Sequence, residues 1–447
     1  STAWALTRQD HGEQPFWAAI ALATLLGQIG QPGTGIGFGY SAMNYMGGAR
    51  IRAPFAALPQ GENPIRDFIP VARIAEMLEA PGAQYRYDGE TRAYPDARLV
   101  WWAGGNPFHH HQDLNRLRRA WRRPETVIAP EWCLNSLARH ADIVLPVTTT
   151  LERRDLALTP KDAYAVVMDK VVQPVGAALS DHAIFRALAA EMGVEHAFTE
   201  GRSEEEWLAH LYSASKSRCA ARGIALPSWE DFNLQGWFKL PEPDTPTIFL
   251  ENFVKDPGRH RLRTPSGKIE LFSETVAAFG DADCPGHPFW MPPAEWLGAA
   301  SGDELHLLSN QPANKLHSQL DHGRVSARDK VGGRDVARLH PAEAARRGLA
   351  DGDTIRLFNA RGACHAALRL SEDVMEGVIQ MATGAWFAPD GETCLHGNPN
   401  VLTRDAGTSS LAQGPSANSC LVRVEKAEDL PDFVLQPPVI QPRERES

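Results

Sequence analysis

One stretch, Trp102-Ala103-Gly104-Gly105-Asn106-Pro107-Phe108-His109-His110-His111-Gln112, narrows what this chain can fold into more than any other. The run from Ala97 to Trp102 before it reads as a buried strand. Asp113-Leu114-Asn115-Arg116-Leu117 after it reads as a helix start. A strand, a glycine turn and a helix N-terminus make a place where backbone N–H groups can face an anion. Asn106 and three histidines crowd that turn with side chains able to donate hydrogen bonds. The stretch reads as a loop that grips a large phosphorylated cofactor, against the plainer reading of an ordinary βα turn with surface histidines.

The 447 residues suffice for two or three domains with their own cores. A formal net charge of -10 without a basic block argues against a nucleic-acid binder. Arg116 to Arg123 reads as a solvated helix face. The most apolar helical run, Phe16 to Leu26, is too short to span a bilayer and reads as a buried core helix. Six cysteines without a CxxC pair argue against an iron–sulfur cluster or structural zinc within the chain, and most read as small buried apolar residues. The chain opens on Ser1, so targeting is unread and cytoplasm and periplasm both stay open.

In chain order, a helix is expected from Pro15 to Gly30, then a glycine-rich loop, Gln31 to Gly39, that lacks the lysine of a P-loop. Residues 41–94 read as irregular, with one helix over Val71 to Leu78. From Arg98 strands and helices alternate: strand Leu99–Trp102, helix 113–121, strand Thr126–Ala129, a helical piece at Leu134–Arg139, strand Ile143–Leu145, and helices over 182–192 and 203–221. That pattern predicts an α/β fold with a doubly wound parallel sheet, whose ligands sit beyond the carboxyl ends of the strands. The turn Gly104–His111, Pro130-Glu131-Trp132 and Pro146–Arg154 fall there. A proline-rich connection over 225–300 leads to short strands at Leu305–Leu308, Thr354–Phe358, Ala366–Leu370, Val378–Met381 and Cys420–Val424, best accounted for by a C-terminal β-barrel. The expected division is 1–95 and 96–300, both α/β and cofactor-binding, 301–430 as the barrel and 431–447 as a tail.

Several segments in order are specific enough to carry a family likeness. They are Arg8–Gln14; Gly104–Gln112 with Asp113-Leu114-Asn115-Arg116; Ala141–Pro146 with Glu152-Arg153; Thr264–Leu271; Ser309-Asn310-Gln311-Pro312 with Leu316–Leu320; Gly384–Phe387; and His396–Thr403 continuing to Leu411–Ser416. Together they resemble the molybdopterin-guanine-dinucleotide oxidoreductases of the dimethyl sulfoxide reductase family, nearest to the biotin sulfoxide and trimethylamine N-oxide reductases. The resemblance implies a double-psi barrel. It also implies a bis-molybdopterin guanine dinucleotide with molybdenum (tungsten as the variant), an S-oxide or N-oxide substrate reduced by oxygen-atom transfer, and an electron donor. Family members carry a substantial N-terminal portion with the metal ligand, so the chain reads as the C-terminal part: a fragment, a processed product or half of a split enzyme whose partner supplies the rest.

Residue by residue, the resemblance places Trp4, Ala5, Arg8, Asn106, His110, Pro130, Glu131, Arg153 and Asp181 in the cofactor pocket of the α/β part. From the barrel it adds Ser309, Asn310, Gln311, Pro312, Lys315, His317, Ser318, Gln319, Asn398, Asn400 and Gln413. Arginine offers a bidentate fork for phosphate, whereas Lys315 stands where close relatives tend to have arginine. Asp181 suits a guanine edge, with a helix cap as the alternative. Asn398, Asn400 and Gln413 suit pterin or guanine edges, with turn formation as the alternative. Metal ligation by His109–His111 is disfavoured because consecutive side chains on a turn diverge and no Cys, Asp or Glu has ligand spacing. No catalytic residue is assigned, since the cofactor carries the chemistry. The competing readings are a non-catalytic cofactor-binding protein and a formate dehydrogenase or nitrate reductase type. A nicotinamide dehydrogenase is disfavoured by the missing GxGxxG.

Overall fold

In the computed structural model, residues 3–37, 51–159, 163–427 and 430–435 are described; Phe38 and Gly39 of the glycine-rich loop and most of the expected tail lie outside them. A short 3-10 turn, Trp4–Arg8, precedes helix α1, Glu13–Leu25. The helix stops before the expected Gly30, where Gly27 takes a φ of 67°. The expectation of a buried core helix fails. Gln14 is its one buried residue, and Leu22, Leu25 and the capping Leu26 are 58, 75 and 60% exposed. No described residue packs on that outer face enough to cover it, which is unusual for a helix apolar on all sides.

Helix α2, Ile74–Glu79, extends a 3-10 turn over Val71–Arg73 and matches the expected helix. A hairpin follows, β1 (Gln84–Tyr87) and β2 (Glu90–Ala93), which the sequence reading missed. Its turn uses Asp88 and Gly89, both at positive φ, the backbone a two-residue hairpin demands.

The expected parallel sheet is β3 (Leu99–Trp101), β4 (Thr126–Glu131) and β5 (Ile143–Pro146), in that order. Between β3 and β4 lie α3 (Pro107–His110) and α4 (Leu114–Ala120) rather than one helix. Alternation along the strands sends side chains to opposite faces. Val100, Val127 and Ala129 pack with Leu114 and Leu117 of α4. On the other face Trp101 stacks at 5.3 Å on Phe185 of α5, Asp181–Glu191, so helices lie on both faces, although Leu99 beside Trp101 stays 56% exposed. Beyond β5, β6 (Asp155–Leu158), β7 (Tyr164–Met168) and β8 (Trp237–Lys239) form a small antiparallel sheet. Helix Glu204–Ala220 begins with a complete capping box, Ser203 and Glu206, and places Tyr212 against that sheet.

The C-terminal part is a closed six-stranded barrel. Its strands are β9 (Leu305–Leu308), β10 (Val336–Leu339), β11 (Thr354–Asn359), β12 (Gly362–Leu370), β13 (Val378–Met381) and β14 (Leu421–Lys426). Pairing runs β10, β13, β9, β14, β11, β12 and back to β10. All but β10 were expected from sequence. Inward Leu305, Leu307, Ile355, Leu357 and Leu368 are fully buried. They share one core with Phe108, Leu114 and Leu117, so the parallel sheet and the barrel are packed against each other rather than strung apart. Phe108 and Phe387 stack at 6.0 Å across that boundary.

Candidate functional site: a loop cluster between sheet and barrel

After β3, Gly104 and Gly105 take φ values of 75° and 71° and turn the chain sharply. A Cβ on Gly104 would meet nothing within 4 Å, so the outside of the turn is open. Asn106 then starts α3 with Pro107 at the first helical position. Its side chain makes no capping bond. Although only 6% exposed, its Oδ1 has no partner among the described residues.

Helix α3 carries His109 and His110, whose ring centroids are 4.7 Å apart. From the barrel, the loop after β9 brings His317 to 5.6 Å from His109 and 5.1 Å from His110. The expected divergence of consecutive histidines holds for His111 but not for His109 and His110, whose rings meet edge to face, and a third ring arrives from 207 positions along the chain. Nδ1 of His109 and of His317 are buried without a partner among the described residues. Burial, with like-charged neighbours, lowers His109 to about 3 and His110 to about 4; Arg8 adds to the effect on His110. His111 points elsewhere, edge-on to Trp102 at 6.0 Å.

The N-terminus of α4, expected to face an anion, is closed by its own Asp113, whose carboxylate accepts from Arg116 N–H at 3.0 Å. The arginine cluster is more than a solvated face as well. Arg116 bonds Glu79 of α2 at 2.7 Å and reaches Asp405 at 3.4 Å.

Other expected residues divide sharply. Ser309 at the end of β9 has an unpartnered, buried Oγ, and Gln311 and Gln319 are exposed. Asn310 is tied to Gln380, and Pro312 lies where a Cβ on Gly384 would come within 3.3 Å of it. Gly384, at φ 116°, is what lets this loop approach so closely. Lys315 is not free for phosphate. It is buried against Asp321 and Asp335, with Lys330 2.9 and 2.6 Å from the same two carboxylates. These cations hold Asp321 down at about 2 against the opposing effect of burial. Asp321 also accepts from the Trp386 backbone N–H at 3.0 Å, and Ser318 O accepts from the indole at 2.9 Å. Nothing in the spacing of Lys315, Asp321, Lys330 and Asp335 announced that network.

Asn398 and Asn400 are buried and spent on protein. Asn398 Nδ2 donates to Phe108 O at 3.2 Å and Ala385 O at 3.0 Å, and its Oδ1 accepts from Asn400 N–H. Asn400 Nδ2 donates to His109 O at 2.7 Å, and its Oδ1 accepts from Thr403. Gln413, at φ 51°, joins Arg73 to Arg86 O. These three clamp loops in this structure and present no free amide edge.

At the carboxyl ends of β4 and β5, Pro130 is buried and burial raises the half-buried Glu131 carboxyl. A cleft of about 690 Å³ opens there, lined by Thr148, Arg153, Arg154, Lys170 and Ser180. Arg153 pairs with Asp155 at its edge. Asp181 sits exposed in the first turn of α5, whose cap is Ser180, accepting from Ala183 N–H at 3.0 Å. Trp4, Ala5 and Arg8 are exposed on the first 3-10 turn, which Asn418 N–H holds through Arg8 O at 2.7 Å. A larger apolar cavity, about 800 Å³ and lined by Phe289, Trp290, Trp296 and Met375, includes none of the expected residues.

A parallel sheet with helices on both faces and a closed barrel, with polar loops meeting between them, define a protein of the α/β-plus-barrel class. Residues 1–191 match the model of the "Molybdopterin oxidoreductase" family and 305–421 that of the "Molydopterin dinucleotide binding domain". The chain is 49% identical over 429 residues to a biotin sulfoxide reductase of Cereibacter sphaeroides, an alignment covering 95% of this chain and 57% of that one. It is 40% identical to a trimethylamine-N-oxide reductase of Haemophilus influenzae, with 95% and 54% covered. Acetylene hydratase from Pelobacter acetylenicus shares the fold at a TM-score of 0.57 and 19% identity, covering 75% of this chain and 45% of that one. The chain belongs to the molybdopterin oxidoreductase family. It spans somewhat over half the length of the curated relatives it matches.

Proposed function

We propose that this chain forms two walls of the pocket for a bis-molybdopterin guanine dinucleotide carrying molybdenum, with tungsten as the variant, in an oxidoreductase that reduces S-oxides or N-oxides. One observation carries the reading. Asn106 Oδ1, His109 Nδ1, His317 Nδ1 and Ser309 Oγ are buried polar atoms with no partner among the described residues, on the two segments where sheet and barrel meet. Such atoms are costly unless something bonds them, so the residues present fit a polar, many-armed ligand.

In this reading Asn106, His109, His110 and His317 bond the phosphate or pterin edges, Arg8 adds positive charge, and Arg153 and Lys170 line the cleft for a phosphate. Asp181 accepts from a guanine. Asn398, Asn400 and Gln413 hold the loops in place rather than touch the ligand. Residues 1–95 and 96–300 together serve as the α/β wall and 301–430 as the barrel wall. The bound metal centre supplies oxygen-atom exchange and two-electron chemistry, with a reductant or electron-donor protein returning the electrons; this chain's own side chains bind and orient. The relatives' remaining length, on this polypeptide or on a partner chain, would bring the metal ligand.

The test is chemical analysis of protein made in a host that synthesises the cofactor. Molybdenum and GMP released on acid hydrolysis support the reading, and finding neither overturns it.

A further inference from the structure

We infer that His109, His110 and His317 also form a binding site for a first-row divalent transition ion, of the Zn²⁺ or Co²⁺ kind, when no organic ligand fills the cradle. One nitrogen from each ring lies within 4.8 Å of the other two. Three imidazoles with one position left for water or an anion is an established ligand set for zinc, and imidazole suits cobalt and nickel equally. Two of the three side chains present a buried Nδ1 with no partner among the described residues, and His109 is only 3% exposed.

The carriers of the three rings are held. Asn400 bonds His109 O, α3 fixes His110 beside it, and His317 takes a φ of 52°, in the left-handed region that few non-glycine residues occupy. The cations facing the trio, Arg8 and Lys315, oppose a metal. Asp321 and Asp335 already neutralise Lys315, and Arg8 sits exposed where water screens it. The inference stands apart from the proposed function, because it concerns the cofactor-free chain. Where the proposed function also holds, metal and organic cofactor draw on the same three histidines, so divalent ions would block cofactor loading.

The experiment titrates the cofactor-free chain with Co²⁺, read by visible absorption, and with Zn²⁺, read by calorimetry. One ion per chain is expected, with the intense visible bands of tetrahedral cobalt. His317→Ala and His110→Ala should each weaken binding about tenfold or more, while His260→Ala, on an exposed loop, leaves it unchanged. Circular dichroism checks that each variant folds, and His317→Gln serves if His317→Ala does not. Absence of stoichiometric binding, or binding that survives loss of His317, overturns the inference. Neither result bears on GMP and molybdenum in the loaded protein.

Discussion

The two loop systems that meet between sheet and barrel are built from similar residues and treat them in opposite ways. On the β3–α3 turn, α3 and the loop after β9, Asn106, His109, His317 and Ser309 keep buried polar atoms that find no partner among the described residues. On the loop over 396–416, Asn398, Asn400 and Gln413 bury theirs fully paired with backbone or side chains. An amide in a loop that meets this cradle is therefore no guide to its job. What separates a ligand contact from a clamp is whether the fold has already used its hydrogen bonds.

The comparison can be broken by substitution, and the largest effect belongs to the ion network beneath Trp386. Asp321→Ala leaves Lys315 and Lys330 with Asp335 alone and strips the Trp386 N–H of its acceptor. Urea unfolding should show a loss of about 3–5 kcal/mol. Asn398→Ala orphans two carbonyls and one N–H inside the protein and should cost about 2–4 kcal/mol. A clamp predicts that the surviving folded fraction binds nucleotide as before; a ligand contact predicts weaker binding without the stability loss.

Asp405 offers a pH handle on the clamp side. Burial raises its carboxyl to about 7, with Arg116 opposing. Its folded value lies above its unfolded value, so its contribution is intact below pH 4 and is lost as pH rises through 7. Asp405→Asn should therefore stabilise the protein by on the order of 2–4 kcal/mol at pH 8, with the gain shrinking toward nothing near pH 4, as thermal melts across that range would read. The smallest stability effect is expected on the unpaired side. Asn106→Ala removes a side chain whose carbonyl oxygen has no partner among the described residues, so unfolding should shift by about 1 kcal/mol or less, whereas cofactor retention should fall about tenfold.

Much of the architecture was legible because it rests on local pattern. The strands of the sheet and five of the six barrel strands follow from apolar runs bounded by turn residues. β10, Val336–Leu339, escaped because Arg338 interrupts its short apolar run. The exposure of α1 was unreadable, since a helix apolar on all sides predicts burial whether or not a covering surface is at hand. At the site, the βα turn and the barrel loop could be named from their residues, but the pairing of His317 with His109 and His110 joins positions far apart in sequence. The capture of Lys315 by Asp321 and Asp335 likewise depends on the folded loop, and no spacing rule reaches it.

Counting GMP against molybdenum shows whether Asn106, His109, His317 and Ser309 bind a guanine-containing molybdenum cofactor. Wild-type protein and the Asn106→Ala, His317→Ala double variant, both produced in a cofactor-making host and shown to be folded, are hydrolysed and their GMP is counted per molybdenum. The account predicts two GMP per molybdenum in the wild type and little of either in the variant. Equal loading of both proteins, or no GMP in either, would contradict it.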